Sequence, residues 1–193
     1  MKRICGITIF IFALLGQRIE ADPAKIDALL AAAIEQTKHP VVYDGAYRRI
    51  AYPGGDVPAD RGVCTDVIVR AYRAIGIDLQ QRVHEDMRVA FSAYPKYWGM
   101  KQPDANIDHR RLPNLQTYFT RQHAMLKVTA NASDYLAGDI VTWMLPGNLP
   151  HIGIATQERS TDGKRPLIVH NIGRGPKLED MLFDYPITGH YRL

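Results

Sequence analysis

Apolar residues recur at helical spacing after Asp22-Pro23, with Ile26, Leu29, Leu30, Ala33 and Ile34 marking one face. Asp22 is suited to cap a helix and Pro23 to its first position, so a helix is predicted from there to the stop at His39-Pro40. From Val41 to Arg61 the pattern loses any period and becomes rich in Tyr, Gly and Pro, which predicts an irregular loop. Val67, Ile68, Ala71, Tyr72 and Ile75 then form a second apolar stripe that ends at Gly76. A third helix is expected from Gln80 to Tyr94, closed by Pro95, and a short fourth after Pro113, with the polar loop PDANIDHRRLPN between them. The pattern then changes to short apolar runs. Ile140 to Met144, His151 to Thr156, Leu167 to Ile172 and Ile187 to Leu193 read as four strands, separated by PGNLP, STDGKRP and RGPK. Helices first and strands later predict an α+β domain whose N-terminal helices pack on a small antiparallel sheet.

The first 21 residues do not belong to that pattern. Lys2 and Arg3 precede an apolar run from Ile4 to Leu15, and Ala21 offers a cleavage end, which together read as an export signal. The run falls short of the roughly 20 apolar residues that span a bilayer, and no later segment approaches that length. Residues 22–193 are therefore expected to form a single domain, periplasmic or secreted, with no transmembrane span after the leader. The formal charge of +4 includes three basic residues and one acid in the leader, so 21 basic and 19 acidic residues follow it, a balance of +2. Nucleic acid is not an expected partner.

The chain has two cysteines, Cys5 in the leader and Cys64 in the stretch DRGVCTDVIVRAYRAIG, so no disulfide framework is expected. Cys64 falls on the first turn of the second predicted helix. Unsatisfied N–H groups and the positive end of the helix dipole favour a thiolate there, predicting a pKa below the ordinary value of about 8.5. A catalytic thiol also needs a proton acceptor, usually a histidine held by a third polar group. His39, His84 and His123 read as solvated positions, and His109 belongs to the arginine loop. His151 instead opens the strand HIGIAT, where Gly153 permits a close approach, and His170 interrupts the apolar strand LIVHNIG. A two-residue hairpin turn at Asp162-Gly163 places both histidines on one face and Asn171 on the other. It also leaves His170 four residues from direct opposition to His151, about 13 Å at ~3.3 Å per residue. A longer or bulged connection is needed to bring the rings together, and QERSTDGKRP has the length to supply it.

The segments GVCTDVIVRAYRAIGIDL, PDANIDHRRLPNL, GDIVTW, HIGIAT, VHNIG and ITGHYR together resemble the bacterial family of domain of unknown function 1287. That family resembles the NlpC-type, papain-like cysteine peptidases and amidases of the cell envelope. The resemblance implies a nucleophilic Cys opening a helix, a His starting the second sheet strand and a polar residue on the next strand, places matched here by Cys64, His151 and His170. It also points to Tyr52 of YPGGD as a residue near the thiol. Val63-Cys64-Thr65-Asp66 departs from the usual Asp-Cys-Ser-Gly, and NIDHRR has no counterpart in the standard pattern. Thr65, Asp66, Arg110, Arg111 and Asn171 join Tyr52 as candidate substrate or oxyanion contacts. The implied function is hydrolysis of an amide or peptide bond, most naturally in peptidoglycan stem peptides, with no metal or organic cofactor. Two alternatives stand beside it: an inactive envelope-binding module, and a zinc site built from Cys64, His151, His170 and His190.

Overall fold

The computed structural model describes residues 22–193, so the leader read over residues 1–21 lies outside the described residues. Four helices form in the places the sequence predicts: α1 (Pro23–Glu35), α2 (Cys64–Ala74), α3 (Leu79–Ala90), which gives way to a 3-10 turn (Phe91–Ala93) before the expected end at Tyr94, and α4 (Leu112–Arg121). Asp22 caps α1 by accepting from the Ala24 N–H at 3.1 Å, and Gly76 takes the left-handed conformation, φ +78°, just past α2. At the start of α2 the Asp66 carboxylate accepts from the Val63 N–H at 2.6 Å, which satisfies a donor the helix itself cannot.

Two short strands, β1 (Val42–Tyr43) and β2 (Arg61–Gly62), pair in parallel inside the segment read as irregular, with Tyr43 opposite Gly62. The main sheet contains β3 (Met125–Leu126), β4 (Ile140–Leu145), β5 (Leu149–Arg159), β6 (Pro166–His170), β7 (Lys177–Glu179) and β8 (Ile187–Tyr191). All neighbours are antiparallel, in the order β3-β8-β4-β5-β6-β7. The fold is the expected α+β arrangement, and the main sheet has two strands beyond the expected four: β3, and β7, which starts at the last residue of RGPK.

Strand alternation gives each face of the sheet its own core. Ile152 and Ile154 of β5 pack with Val169 against Leu29 of α1, Val67, Ile68 and Ala71 of α2, and Phe119 of α4. Each such fully buried aliphatic side chain contributes about 1.5–3 kcal/mol relative to exposure. On the other face Val141, Trp143, Ala155 and Ile168 meet Tyr135, Met181 and Leu182 from the connecting segments. The Trp143 indole N–H donates to the Leu182 carbonyl at 2.9 Å, so that face is closed without an orphaned donor. Among the described residues no helix is long and apolar enough to cross a membrane.

The β5–β6 hairpin supplies the bulge that the sequence required. Near the turn Arg159 pairs with Pro166, but farther on Ala155 pairs with Ile168, so β5 advances four residues while β6 advances two. The slip is even, which preserves the face of every side chain while moving His170 into register with Gly153. Only glycine fits at 153: a Cβ there would lie 2.6 Å from Ile168 Cγ2 and 2.9 Å from the Val169 carbonyl.

Candidate active site

Cys64 is the first residue of α2 and is only 5% exposed. Pairing of β1 with β2, which runs straight into α2, carries Tyr43 to the thiol, and its hydroxyl donates to Sγ at 4.0 Å. The backbone amides of Ile152 and Thr65 also face the sulfur and favour its thiolate. Burial nonetheless pushes the thiol up to about 11, with the Asp66 carboxylate adding to the rise against the amides and the tyrosine. The thiol is thus raised, not lowered as its helix position predicts. Loss of water around the sulfur outweighs the donors at the helix end.

His151, the third residue of β5, is buried, with its ring tilted over Trp143 at 6.0 Å between centroids. The register slip places His170 two residues along the ladder, and His151 Nε2 and His170 Nδ1 are 3.0 Å apart. Burial, helped by the neighbouring His170, holds His151 well down at about 3. His170 is lowered by burial too, against the pull of a carboxylate on its far side. That carboxylate is Glu179 of β7, with Oε2 3.0 Å from His170 Nε2. Glu179 lies just after RGPK, between the strands that the sequence predicts, where no period marks an element. Its signal is the alternation of KLE beside LIVH: Lys177 pairs with His170 and Glu179 with Ile168, so Glu179 shares the face of His170.

Cys64 and the histidine strand adjoin without a hydrogen bond between thiol and imidazole in this structure. Pro150, immediately before His151, lines the same cavity as Cys64, and the Ile152 amide, immediately after it, faces Sγ. His151 Nδ1 has no hydrogen-bond partner among the described residues. The cavity over Cys64 measures about 450 Å³ and includes Tyr43, Tyr47, Trp98 and Arg111 in its wall. A second cavity of about 510 Å³ shares Tyr47, Trp98 and Arg111 and reaches to Arg49 and Asp104. Together they make one long cleft leading away from the thiol.

The other sequence candidates divide sharply. Tyr52 is 43% exposed and stacks edge-on against His84 at 5.0 Å, because Gly54 and Gly55 donate to Asp78 and Gln80 and pin the YPGG tip to α3. Tyr43 holds the place expected for it. Thr65 donates its hydroxyl to the Arg110 carbonyl at 2.8 Å, and Asp66 takes two bonds from the Arg110 guanidinium at 2.8 and 2.9 Å. The same guanidinium donates to the carbonyls of Asp44 and Ala46, so Arg110 is consumed in tying α2, the β1 segment and the arginine loop together. Its neighbour Arg111 instead reaches the cleft, lies over the Trp98 ring at 4.6 Å and approaches Asp108 at 3.4 Å. Asn171 turns away from His151 and accepts from the Gly173 N–H at 3.0 Å. His190 is also elsewhere, bonded to Asp139 at 2.7 Å in a pair completed by Arg192. Among the described residues no group of three or more His, Cys, Asp or Glu side chains is placed to hold a metal ion.

Comparison with known proteins gives likenesses at the level of structure, sequence and family. A solved lipoprotein-like protein of the NLP/P60 family from Staphylococcus aureus is 12% identical, with a TM-score of 0.44; the match covers 89% of this chain and 42% of that one. Uncharacterized protein YijF of Escherichia coli (strain K12) is 50% identical over 165 residues, 86% of this chain and 80% of its own length. The family model described as domain of unknown function DUF1287 matches residues 30–193, which include Cys64, the arginine loop, both strand histidines and Glu179. A match that spans every element around the thiol places the chain in the DUF1287 family.

Proposed function

We propose that this protein is an exported thiol hydrolase that cleaves an amide or peptide bond, with peptidoglycan stem peptides or their fragments as substrate. The observation that carries this reading is the hydrogen bond between His151 of β5 and His170 of β6, with β5 flanking a helix-opening cysteine. In this reading the Cys64 thiol gives its proton to His151 Nδ1 as Sγ attacks the carbonyl carbon. Backbone N–H groups at the start of α2, with the Tyr43 hydroxyl in place of Tyr52, hold the oxyanion. The tetrahedral adduct collapses as His151 returns the proton to the leaving amine, and water then hydrolyses the thioester with the same imidazole as base. His170 orients that imidazole and disperses its charge. Cys64 and His151 rest neutral, so ionisation accompanies substrate entry rather than preceding it.

Incubation of the purified protein with sacculi and with synthetic stem peptides, followed by mass spectrometry for new amine and carboxylate ends, tests the reading. No cleavage by fully reduced protein would favour the second reading, a binding module, which the burial of Cys64 supports. His170→Ala is expected to lower turnover by about 10²–10⁴, whereas Asn171→Ala leaves it near wild type at matched stability. Equal losses would remove His170 from the orienting role.

The cleft also bears on the substrate. Stem peptides carry carboxylates, and a guanidinium matches a carboxylate with two parallel hydrogen bonds that an ammonium cannot reproduce. Arg111, beside the exposed rings of Trp98 and Tyr47, takes that role now that Arg110 is internal. Arg111→Lys should lower the specificity constant for carboxylate-bearing peptides by about ten- to a hundredfold and spare an amidated analogue. An equal fall on both peptides would assign Arg111 to the loop's own structure.

A further inference from the structure

The hydrogen bond between His170 and Glu179 has a consequence for the proton on His151. A carboxylate only accepts, so the proton between His170 Nε2 and Glu179 Oε2, 3.0 Å apart, belongs to the imidazole. A neutral His170 is then bare at Nδ1 and accepts there, which places the proton of the 3.0 Å contact on His151 Nε2. A neutral His151 is in turn bare at Nδ1, the ring nitrogen without a partner. Without the carboxylate, the two neutral rings can reverse every donor and acceptor along the chain, and His151 Nδ1 then carries a hydrogen and cannot act as a base. A charge-assisted bond is roughly twice as strong as a neutral one and breaks that near-degeneracy.

We propose that Glu179 is a positioning residue which, acting through His170, fixes the tautomer of His151 and keeps Nδ1 as the proton acceptor for Cys64. The proposal rests on the hydrolase reading above. When the thiol proton moves to Nδ1, His151 becomes an imidazolium whose Nε2–H still donates to His170, and the Glu179 charge stabilises the ion across the intervening ring. The rings are buried while the Glu179 side chain is 46% exposed, so the outer end of the relay meets solvent at a separate cavity of about 210 Å³. Lys177 is the nearest competitor, with Nζ 3.7 Å from Glu179 Oε1, and Arg174 lines the same cavity. Neither replaces the acceptor: cations at this position can only donate.

Nitrogen-15 spectra of the histidine rings at neutral pH, in wild type and Glu179→Ala, test the relay directly. Wild type should show both His151 and His170 protonated at Nε2, and Glu179→Ala should show His151 protonated at Nδ1 in a substantial fraction of molecules. In parallel kcat should fall about tenfold with KM unchanged, since the ring is present but often in the wrong tautomer. Unchanged tautomers in Glu179→Ala, with kcat at the wild-type value, would overturn the relay and leave the hydrolase reading intact. If wild type cleaves no peptide, the hydrolase reading fails by itself. The ring spectra then still decide the relay: reversal in Glu179→Ala upholds tautomer control, and no change overturns it.

Discussion

On the proposed hydrolase reading, Cys64→Ala should lower hydrolysis by at least about a thousandfold while the domain keeps its fold, because loss of the nucleophile would remove the covalent route and leave only binding and oxyanion contacts. The thiol itself should behave unusually for a helix-end cysteine. Its pKa is pushed up to about 11 by burial, so iodoacetamide should modify the folded protein more slowly at neutral pH than it modifies a free thiol, with a rate that climbs through the alkaline range. Tracking intact mass against pH gives both the rate and the apparent pKa. Fast modification at neutral pH with a pKa below about 8.5 would mean that the helix end and Tyr43 outweigh burial. Retained turnover in Cys64→Ala would move the nucleophile elsewhere.

Asp66→Ala should be the most destabilising single change around the site. It strands the Arg110 guanidinium in the interior, and breaking a buried ion pair from one side costs about 3–5 kcal/mol, roughly ten degrees in Tm for a chain of this size. It also strips the Val63 N–H of its acceptor at the start of α2. Arg110→Met should cost a comparable amount, and the double variant should lose clearly less than the two single losses combined, since no unpaired charge is left behind. Thermal or urea unfolding of the three variants measures this. A loss under about 1 kcal/mol for Asp66→Ala would show that the pair is not a structural tie.

Arg110 and Arg111 illustrate where sequence reading stopped. They are adjacent in the same polar loop, and nothing in NIDHRR separates them. One side chain points into the domain and is matched by Asp66, 44 residues earlier, while the other points along the cleft toward Trp98. That division depends on how the loop docks against α2, a contact that no local period records. Tyr43 and Tyr52 divide in the same way. Both lie in a tyrosine-rich segment without periodicity, and the choice between them follows from a two-residue parallel pairing and from two glycine amides held by α3.

What the sequence by itself determined is what backbone periodicity and residue chemistry report locally. The apolar stripes placed α1 and α2 and set Cys64 at a helix start; strand parity put His151 and His170 on one face; Gly153 marked the point where β6 comes close. Only the tertiary structure decided the size of the register slip, the presence of Glu179 behind His170, and the depth at which the thiol is buried. Each of these arises between segments distant in sequence. A strand of three residues carries too little pattern to be read alone, and the charge state of a thiol depends on how much water its neighbours exclude as much as on the helix that bears it.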